Sequence, residues 1–366
     1  MPMRYGITTI SSDVLSLPIF RVLEIILWSI PSRFMRGIKG ICCNELMVHH
    51  QKVIQPPALQ IGDTIGVVSP GSPVLRERLE KGIEYLKSRG YQVVLGRHVF
   101  DTYGYLAGED QDRVDDIHAM FSDSKVKAII CSRGGYGAAR LLDKLDYELI
   151  ANHPKILVGY SDITALQLAI LKKTNVLTFS GPMVAVELGK GIDPFTEKHF
   201  WPMLNGEESC KNLVQPEETE LKVLRSGKIE GQLVGGCLSV ICSLIGTDYL
   251  PDFRGRILIL EEVGEEPYRI DRFLNQLRTV GILQQVSGII FAQFLDCLPK
   301  GKTPSFTIAE VIEDYIRPLQ VPAVAGFLYG HTESKFTIPI GGWVQLDTAE
   351  RCVLRLLEKP VSFTYS

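Results

Sequence analysis

Lys155-Ile-Leu-Val-Gly-Tyr-Ser-Asp-Ile-Thr164 passes from an apolar run directly into a segment with helical character. Ile156 to Val158 reads as a short buried strand. A helix is predicted from about Asp162 to Lys172, so the chain must turn abruptly between them. Ser161 stands on that turn, at the carboxyl end of the strand and the amino end of the helix. Two readings follow. Outward-pointing N–H groups at a helix start can hold a developing oxyanion beside a serine nucleophile. A serine in this place can equally be an ordinary helix cap. The turn alone leaves both open.

Upstream, the same alternation repeats. Strands are predicted at Ile65 to Val68, Gly90 to Leu95 and Val126 to Cys131, and helices at Leu75 to Arg89, Asp110 to Ser122 and Ala138 to about Leu145. A further strand is expected at Leu177 to Ser180. Continuous Val/Ile runs alternating with helices point to a mainly parallel sheet covered on both faces. Ligands bind such sheets outside the carboxyl ends of the strands. Three loops reach that edge: Ser69 to Ser72, Arg133 to Gly137, and Tyr160 to Asp162.

Downstream, Gly189 to Lys228 is irregular and carries Pro194, Pro202 and Pro216, so it reads as a connector. A second region begins near Glu230. Its expected strands are Leu233-Val234, Gly255 to Leu260, Gly288 to Phe294, Ala323 to Phe327, Trp343 to Leu346 and Cys352 to Leu357, with helices at Leu238 to Ile245 and Ile270 to Leu277. The predicted division is an extension over 1–58, a first domain over 59–188, a connector over 189–229 and a second domain over 230–366.

The formal net charge of −3 gives no basic footprint for nucleic acid. None of the eight cysteines forms a Cys-x-x-Cys pair, and most lie in apolar runs. They read as buried small hydrophobes of a reducing compartment. The apolar stretch Val14 to Pro31 is broken by Pro18, Arg21 and Glu24, which argues against a membrane-spanning helix. A signal peptide, a membrane-surface amphipathic segment and a working start at Met47 are competing readings of this extension.

A serine nucleophile needs a base, and the base needs a group to orient it. Of the seven histidines, His331 stands out, because it follows a strand and Gly330 and precedes a polar loop. That placement suits a site, and it also suits a solvated histidine. Glu261 and Glu262 end an apolar strand, where only one can face a given side. Either could instead pair with Arg269 or Arg272. Arg133-Gly-Gly-Tyr-Gly137 fails as a dinucleotide fingerprint, since Arg140 occupies the third glycine position. The loop reads better as allowing close backbone approach to a ligand, and an N–H of Gly134 or Gly135 could join that of Asp162 in an oxyanion hole. No His/Cys/Asp/Glu group shows metal-ligand spacing, and no cofactor is expected.

Taken in order, several segments resemble the LD-carboxypeptidases, a serine peptidase family that includes the murein tetrapeptide carboxypeptidases and the microcin-immunity hydrolases. They are Ser132-Arg-Gly-Gly-Tyr-Gly-Ala-Ala-Arg-Leu-Leu142, Gly159-Tyr-Ser-Asp-Ile-Thr-Ala-Leu166, Thr178-Phe-Ser-Gly-Pro-Met183, Glu230-Gly-Gln-Leu-Val-Gly-Gly236, Leu260-Glu-Glu-Val-Gly-Glu-Glu-Pro-Tyr-Arg-Ile-Asp-Arg272, and Gly330-His331 followed by Pro339-Ile-Gly341. The resemblance implies a triad of Ser161, Glu261 and His331. It implies an N-terminal flavodoxin-like parallel sheet that supplies the serine and a C-terminal β-rich α/β domain that supplies the glutamate and histidine, with the site in the cleft between them. It further implies a cytoplasmic homodimer that releases terminal D-alanine from murein tetrapeptide, with Arg133 pairing either with a substrate carboxylate or within the fold. Hydrolysis of aminoacyl or peptidyl nucleotide amides is the alternative, and a non-catalytic binding protein with the same cleft is the rival from another class. One departure is visible: Cys237 stands where family members often have asparagine. A thiol offers far less hydrogen bonding than an amide.

Overall fold

The computed structural model describes residues 53–301, 304–349 and 352–363. Residues 1–52 of the predicted extension, with Met47 and the Val14 to Pro31 stretch, lie outside the described residues, whereas its last residues belong to the fold: Ile54 bridges Val176 and Pro57 bridges Ser362. From Thr64 onward the apolar runs and amphipathic segments become β1 (Thr64–Val68), α1 (Arg76–Ser88), β2 (Gln92–Leu95), α2 (Asp110–Ser122), β3 (Val126–Cys131), α3 (Tyr147–Asn152), β4 (Ile156–Gly159), α4 (Thr164–Thr174) and β5 (Thr178–Ser180). All five strands run parallel, in the order β2-β1-β3-β4-β5. This is the flavodoxin-like order, whose switch point falls between β1 and β3. β4 is buried at every position, and β3 at every position but Lys127, as strands covered on both faces must be. Each fully buried Ile or Leu side chain there contributes roughly 1.5–3 kcal/mol relative to exposure.

The helix expected from Ala138 to Leu145 is instead a short tight turn over Ala138–Leu141, followed by the separate α3. The break has a local cause: the Asp146 carboxylate accepts from Leu149 N and starts α3 anew.

The stretch read as a connector is also more ordered than expected. It holds α5 (Pro194–Asn205) and two strands, β6 (Asn212–Val214) and β7 (Lys222–Arg225). Pro194 occupies the first turn of α5, where its missing N–H costs nothing, and Asp193 caps it by accepting from Thr196 N. Beyond a single helical turn over Ile282–Gln285, the remaining elements are β8 (Lys228–Cys237), α6 (Leu238–Ser243), β9 (Ile257–Val263), α7 (Pro267–Thr279), β10 (Gly288–Leu295), α8 (Ile308–Ile316), β11 (Ala323–Ala325), β12 (Ile338–Ile340), β13 (Trp343–Asp347) and β14 (Cys352–Leu356).

Eight strands form a second sheet in the order β6-β14-β13-β8-β9-β10-β11-β7. Its middle, β8 to β11, is parallel, and its flanks are antiparallel. The two short strands of the supposed connector are its edges, and short edges discourage pairing with other chains.

β12 does not join this second sheet. It pairs antiparallel with β5 and becomes the sixth strand and outer edge of the first. Pro339 inside it is tolerated because an edge strand needs no donor on its outer side. The consequence is positional. β12 begins a few residues after His331, and β5 neighbours β4, which ends just before Ser161. The late chain is thereby stitched beside the serine turn.

Candidate active site

The serine turn is strained. Ser161 has a φ of 64°, the left-handed region that side-chain-bearing residues rarely occupy. Such a conformation costs on the order of 1–3 kcal/mol and persists only where the surroundings enforce it. β4 fixes the chain before the turn, and a tight turn over Ser161–Ile163 leads directly into the buried α4 after it. Ser161 is therefore not the ordinary helix cap of the bland reading: it is the first residue inside the turn, Tyr160 holds the cap position, and its hydroxyl points to His331.

That hydroxyl lies 3.1 Å from His331 Nε2. On the other side of the ring, Nδ1 lies 2.7 Å from Glu261 Oε2. Glu261 is completely buried at the end of β9, so its carboxylate acts in a low-dielectric setting and fixes the ring through Nδ1. The strand alternation then decides between the two glutamates. Glu262 faces the other way, accepting from Ser239 N at 2.7 Å and Val263 N at 3.0 Å. Neither glutamate pairs with Arg269 or Arg272; Arg269 instead meets Glu265.

Gly330 makes the Glu261–His331 contact possible. Its φ is +98°, and a Cβ there would stand 2.5 Å from Glu261 Oε2 and 2.7 Å from Glu261 Cβ. Gly330→Ala is expected to push the carboxylate off His331, lowering kcat at least tenfold, with a loss of stability on the order of 2–4 kcal/mol from strain and overpacking. Steady-state kinetics together with a urea unfolding curve measure both parts.

The glycine loop lies against the serine. A Cβ on Gly134 would stand 3.0 Å from Ser161 Cβ, so a larger residue would press the serine turn back by a few tenths of an ångström. The loop is braced on both sides. Gly134 O accepts from Ser72 N, and Ser72 Oγ accepts from Tyr136 N. The Asp162 side chain, which the sequence did not single out, accepts from Ala138 N at 2.8 Å and ties the serine turn to the end of the loop. Burial raises the Asp162 pKa, against the pull of its backbone donors. Arg133 donates to Pro73 O at 3.3 Å, and no carboxylate lies within ion-pair distance of it among the described residues.

Cys237 ends β8 beside Glu261 in the sheet register. Its thiol lies 3.4 Å from Glu262 Oε1. Burial, and then the two neighbouring glutamates, push its pKa well above the usual thiol range, so it stays neutral and is no rival nucleophile.

Tyr160 adjoins the histidine, with Glu187 and Lys335 behind it, and the sequence alone assigns a role to none of the three side chains. Tyr160 packs against the His331 ring with centroids 5.1 Å apart and planes at 73°. Its hydroxyl donates to Glu187 Oε1 at 2.8 Å, and Lys335 Nζ meets the same oxygen at 2.5 Å. Away from the cleft, His98 meets Asp101 at 2.8 Å through Nδ1 and Asp112 at 3.7 Å through Nε2. This acidic grouping was not visible in the sequence spacing. Each ring nitrogen faces a different carboxylate, which suits a protonated imidazole; the Asp101 bond raises the His98 pKa despite some desolvation.

Among the described residues, no helix is long and apolar enough to cross a membrane. Residues 65–181 match the LD-carboxypeptidase N-terminal domain and residues 230–346 the LD-carboxypeptidase C-terminal domain. The chain is 41% identical over 298 residues to a probable murein peptide carboxypeptidase of Bacillus subtilis, covering 81% of this chain and 92% of that one. Among solved structures, MccF in complex with glutamyl sulfamoyl guanosine superposes with a TM-score of 0.78 at 26% identity, covering 84% of this chain and 99% of that one. Muramoyltetrapeptide carboxypeptidase from Oxalobacter formigenes gives a TM-score of 0.70 at 31% identity, covering 80% and 97%. The two-sheet α/β architecture, the ordered motifs and these similarities agree, and the chain belongs to the LD-carboxypeptidase family.

Proposed function

We propose that this chain is a serine-type carboxypeptidase that releases terminal D-alanine from murein tetrapeptide through an acyl-enzyme. The observation that carries the reading is the unbroken hydrogen-bonded line from Ser161 Oγ through the His331 ring to buried Glu261. His331 Nε2 takes the hydroxyl proton as Oγ attacks the carbonyl joining the L-centre of the diamino acid to D-alanine. Glu261 holds the Nδ1 proton and offsets the charge of the imidazolium. The N–H of Asp162, with that of Gly134 or Gly135, receives the oxyanion, each donor lowering the barrier by about 3–4 kcal/mol. His331 then protonates the leaving amine of D-alanine. Water, activated by the same ring, frees the tripeptide and restores Ser161. Arg133, with no carboxylate within ion-pair distance among the described residues, is available for a substrate carboxylate. The setting is wall recycling in the cytoplasm by a homodimer.

A second reading keeps the triad and changes the substrate to an aminoacyl nucleotide amide. The observation that favours it is the close superposition on MccF, which is a microcin C7 self-immunity protein in Escherichia coli. Measuring kcat/KM for murein tetrapeptide and for an aminoacyl sulfamoyl adenosine on one preparation separates the two. The proposal expects the peptide to be preferred by at least about a hundredfold, equal to roughly 2.7 kcal/mol of transition-state discrimination. The reverse order would install the second reading.

A further inference from the structure

His331 lies on a loop, and a single hydrogen bond to Glu261 does not fix both its ring plane and its distance from Ser161. Something must hold the loop itself. The backbone supplies part of the answer: Lys335 N donates to Thr196 Oγ1 at 3.0 Å, Thr196 Oγ1 donates to Glu333 O at 3.1 Å, and Phe336 N donates to Leu328 O at 2.8 Å. The side chains supply the rest.

Lys335 is 3% exposed, yet it carries a charge. Its ammonium meets Glu187 Oε1 at 2.5 Å and lies 4.3 Å from the centroid of the Tyr160 ring. Tyr160, itself 5% exposed, donates its hydroxyl to the same Glu187 oxygen. Glu187 Oε2 accepts from Met183 N at 3.0 Å, within a wide helical turn over Val184–Leu188. Wide turns of this kind recur at functional sites. Burial alone would raise the Glu187 pKa, but Lys335, Met183 N and the Tyr160 hydroxyl bring it below the ordinary value.

The cluster is costly for the fold. A buried ion pair repays its desolvation only where its geometry is good and its remaining valences are filled, and hydrophobic replacements are often as stable. Its location suggests why it is kept. Tyr160 immediately precedes Ser161, Lys335 lies just past His331, and the Tyr160 ring stands edge-to-face with the His331 ring. The Glu187 carboxylate, 11% exposed, therefore ties together the segment bearing the serine and the loop bearing the histidine, which come from opposite halves of the chain.

We propose that Lys335, Glu187 and Tyr160 are positioning residues that set the His331 ring against Ser161, with the Lys335 and Glu187 charges paired so that neither acts on the ring alone. The inference rests on the catalytic reading of Ser161 and His331. The charged and titratable groups facing the His331 ring are Glu261 at Nδ1, Ser161 at Nε2 and Tyr160 at its edge. Lys335 and Glu187 stand behind Tyr160, and Cys237 and Glu262 lie beyond Glu261. In the native protein Lys335 and Glu187 form an ion pair behind Tyr160. Removing either one leaves the other uncompensated within a few ångströms of Tyr160, where a buried charge acts strongly.

The test uses Glu187→Gln, Lys335→Met and the double variant in the full chain. The readouts are the pH titration of the His331 ring by NMR, assigned by difference from His331→Asn, and the pH profile of kcat/KM. In Glu187→Gln the bare ammonium disfavours imidazolium, so the His331 titration moves to lower pH. In Lys335→Met the bare carboxylate favours it, so the titration moves to higher pH. The double variant returns the titration to the native position while kcat stays about tenfold or more below native, with KM changed less than kcat. Lys335→Arg, which keeps the charge, retains most of the native kcat and leaves the titration in place, and Lys335→Gln stands in if Lys335→Met does not fold. Titrations unmoved in both single variants, with only a fall in melting temperature, would overturn the proposal and leave the cluster a structural ion pair. If the native chain releases no D-alanine, the substrate reading fails, and the ring titration still decides this inference.

Discussion

Ser161→Ala lowers D-alanine release from murein tetrapeptide by about 10⁵–10⁶-fold, the scale on which nucleophile loss acts when the triad works as a unit. The effect falls on kcat and leaves substrate binding nearly intact, because the hydroxyl is one small group on a turn that the Asp162 carboxylate ties to the glycine loop. Folding is expected to survive. The side chain makes no cap bond, and the left-handed φ of 64° costs alanine about what it costs serine. Rate constants from single-turnover chromatography, paired with a melting curve, separate the two effects. A residual rate within a factor of ten of native would remove Ser161 from the mechanism.

Glu261→Gln is expected to cost roughly 10³–10⁴ in kcat, or about 4–5.5 kcal/mol of barrier. The substitution nearly preserves shape but removes the negative charge that stabilises the imidazolium. It also lets an amide N–H face His331 Nδ1, which would place the ring proton on Nε2, where it cannot accept from Ser161. Glu262→Gln provides the contrast. Glu262 is just as deeply placed but serves Ser239 N, Val263 N and the Cys237 thiol, not the histidine. It should cost stability and leave kcat within about tenfold of native. Equal kcat losses from the two variants would show that strand alternation had been given the wrong meaning.

Much of this architecture was legible in the chain. The parallel β1 to β5 unit followed from buried aliphatic runs and intervening amphipathic helices, whose signals are local. The three loops expected at the carboxyl edge do converge, and Ser161, Glu261 and His331 do meet. Their meeting was not readable from spacing, since the histidine is 170 residues from the serine; ordered family motifs supplied it. Pro194 helped make 189–229 read as a connector although it opens α5, and β12 had no strand assigned to it because its three residues are too short a run to signal one. The capping box of Thr307 and Glu310 marks α8 plainly and was a signal available to be read. The Lys335–Glu187–Tyr160 cluster had no local signature, because its members come from three distant segments and are brought together only by tertiary packing.

The most direct test of the central claim is a product assay: purified native chain, murein tetrapeptide, and quantification of free D-alanine and tripeptide in the same samples. The account predicts that both products appear in equal amounts and at the same overall yield as tetrapeptide is lost. Intact tetrapeptide after many enzyme equivalents of time, or cleavage at any other bond, would contradict it.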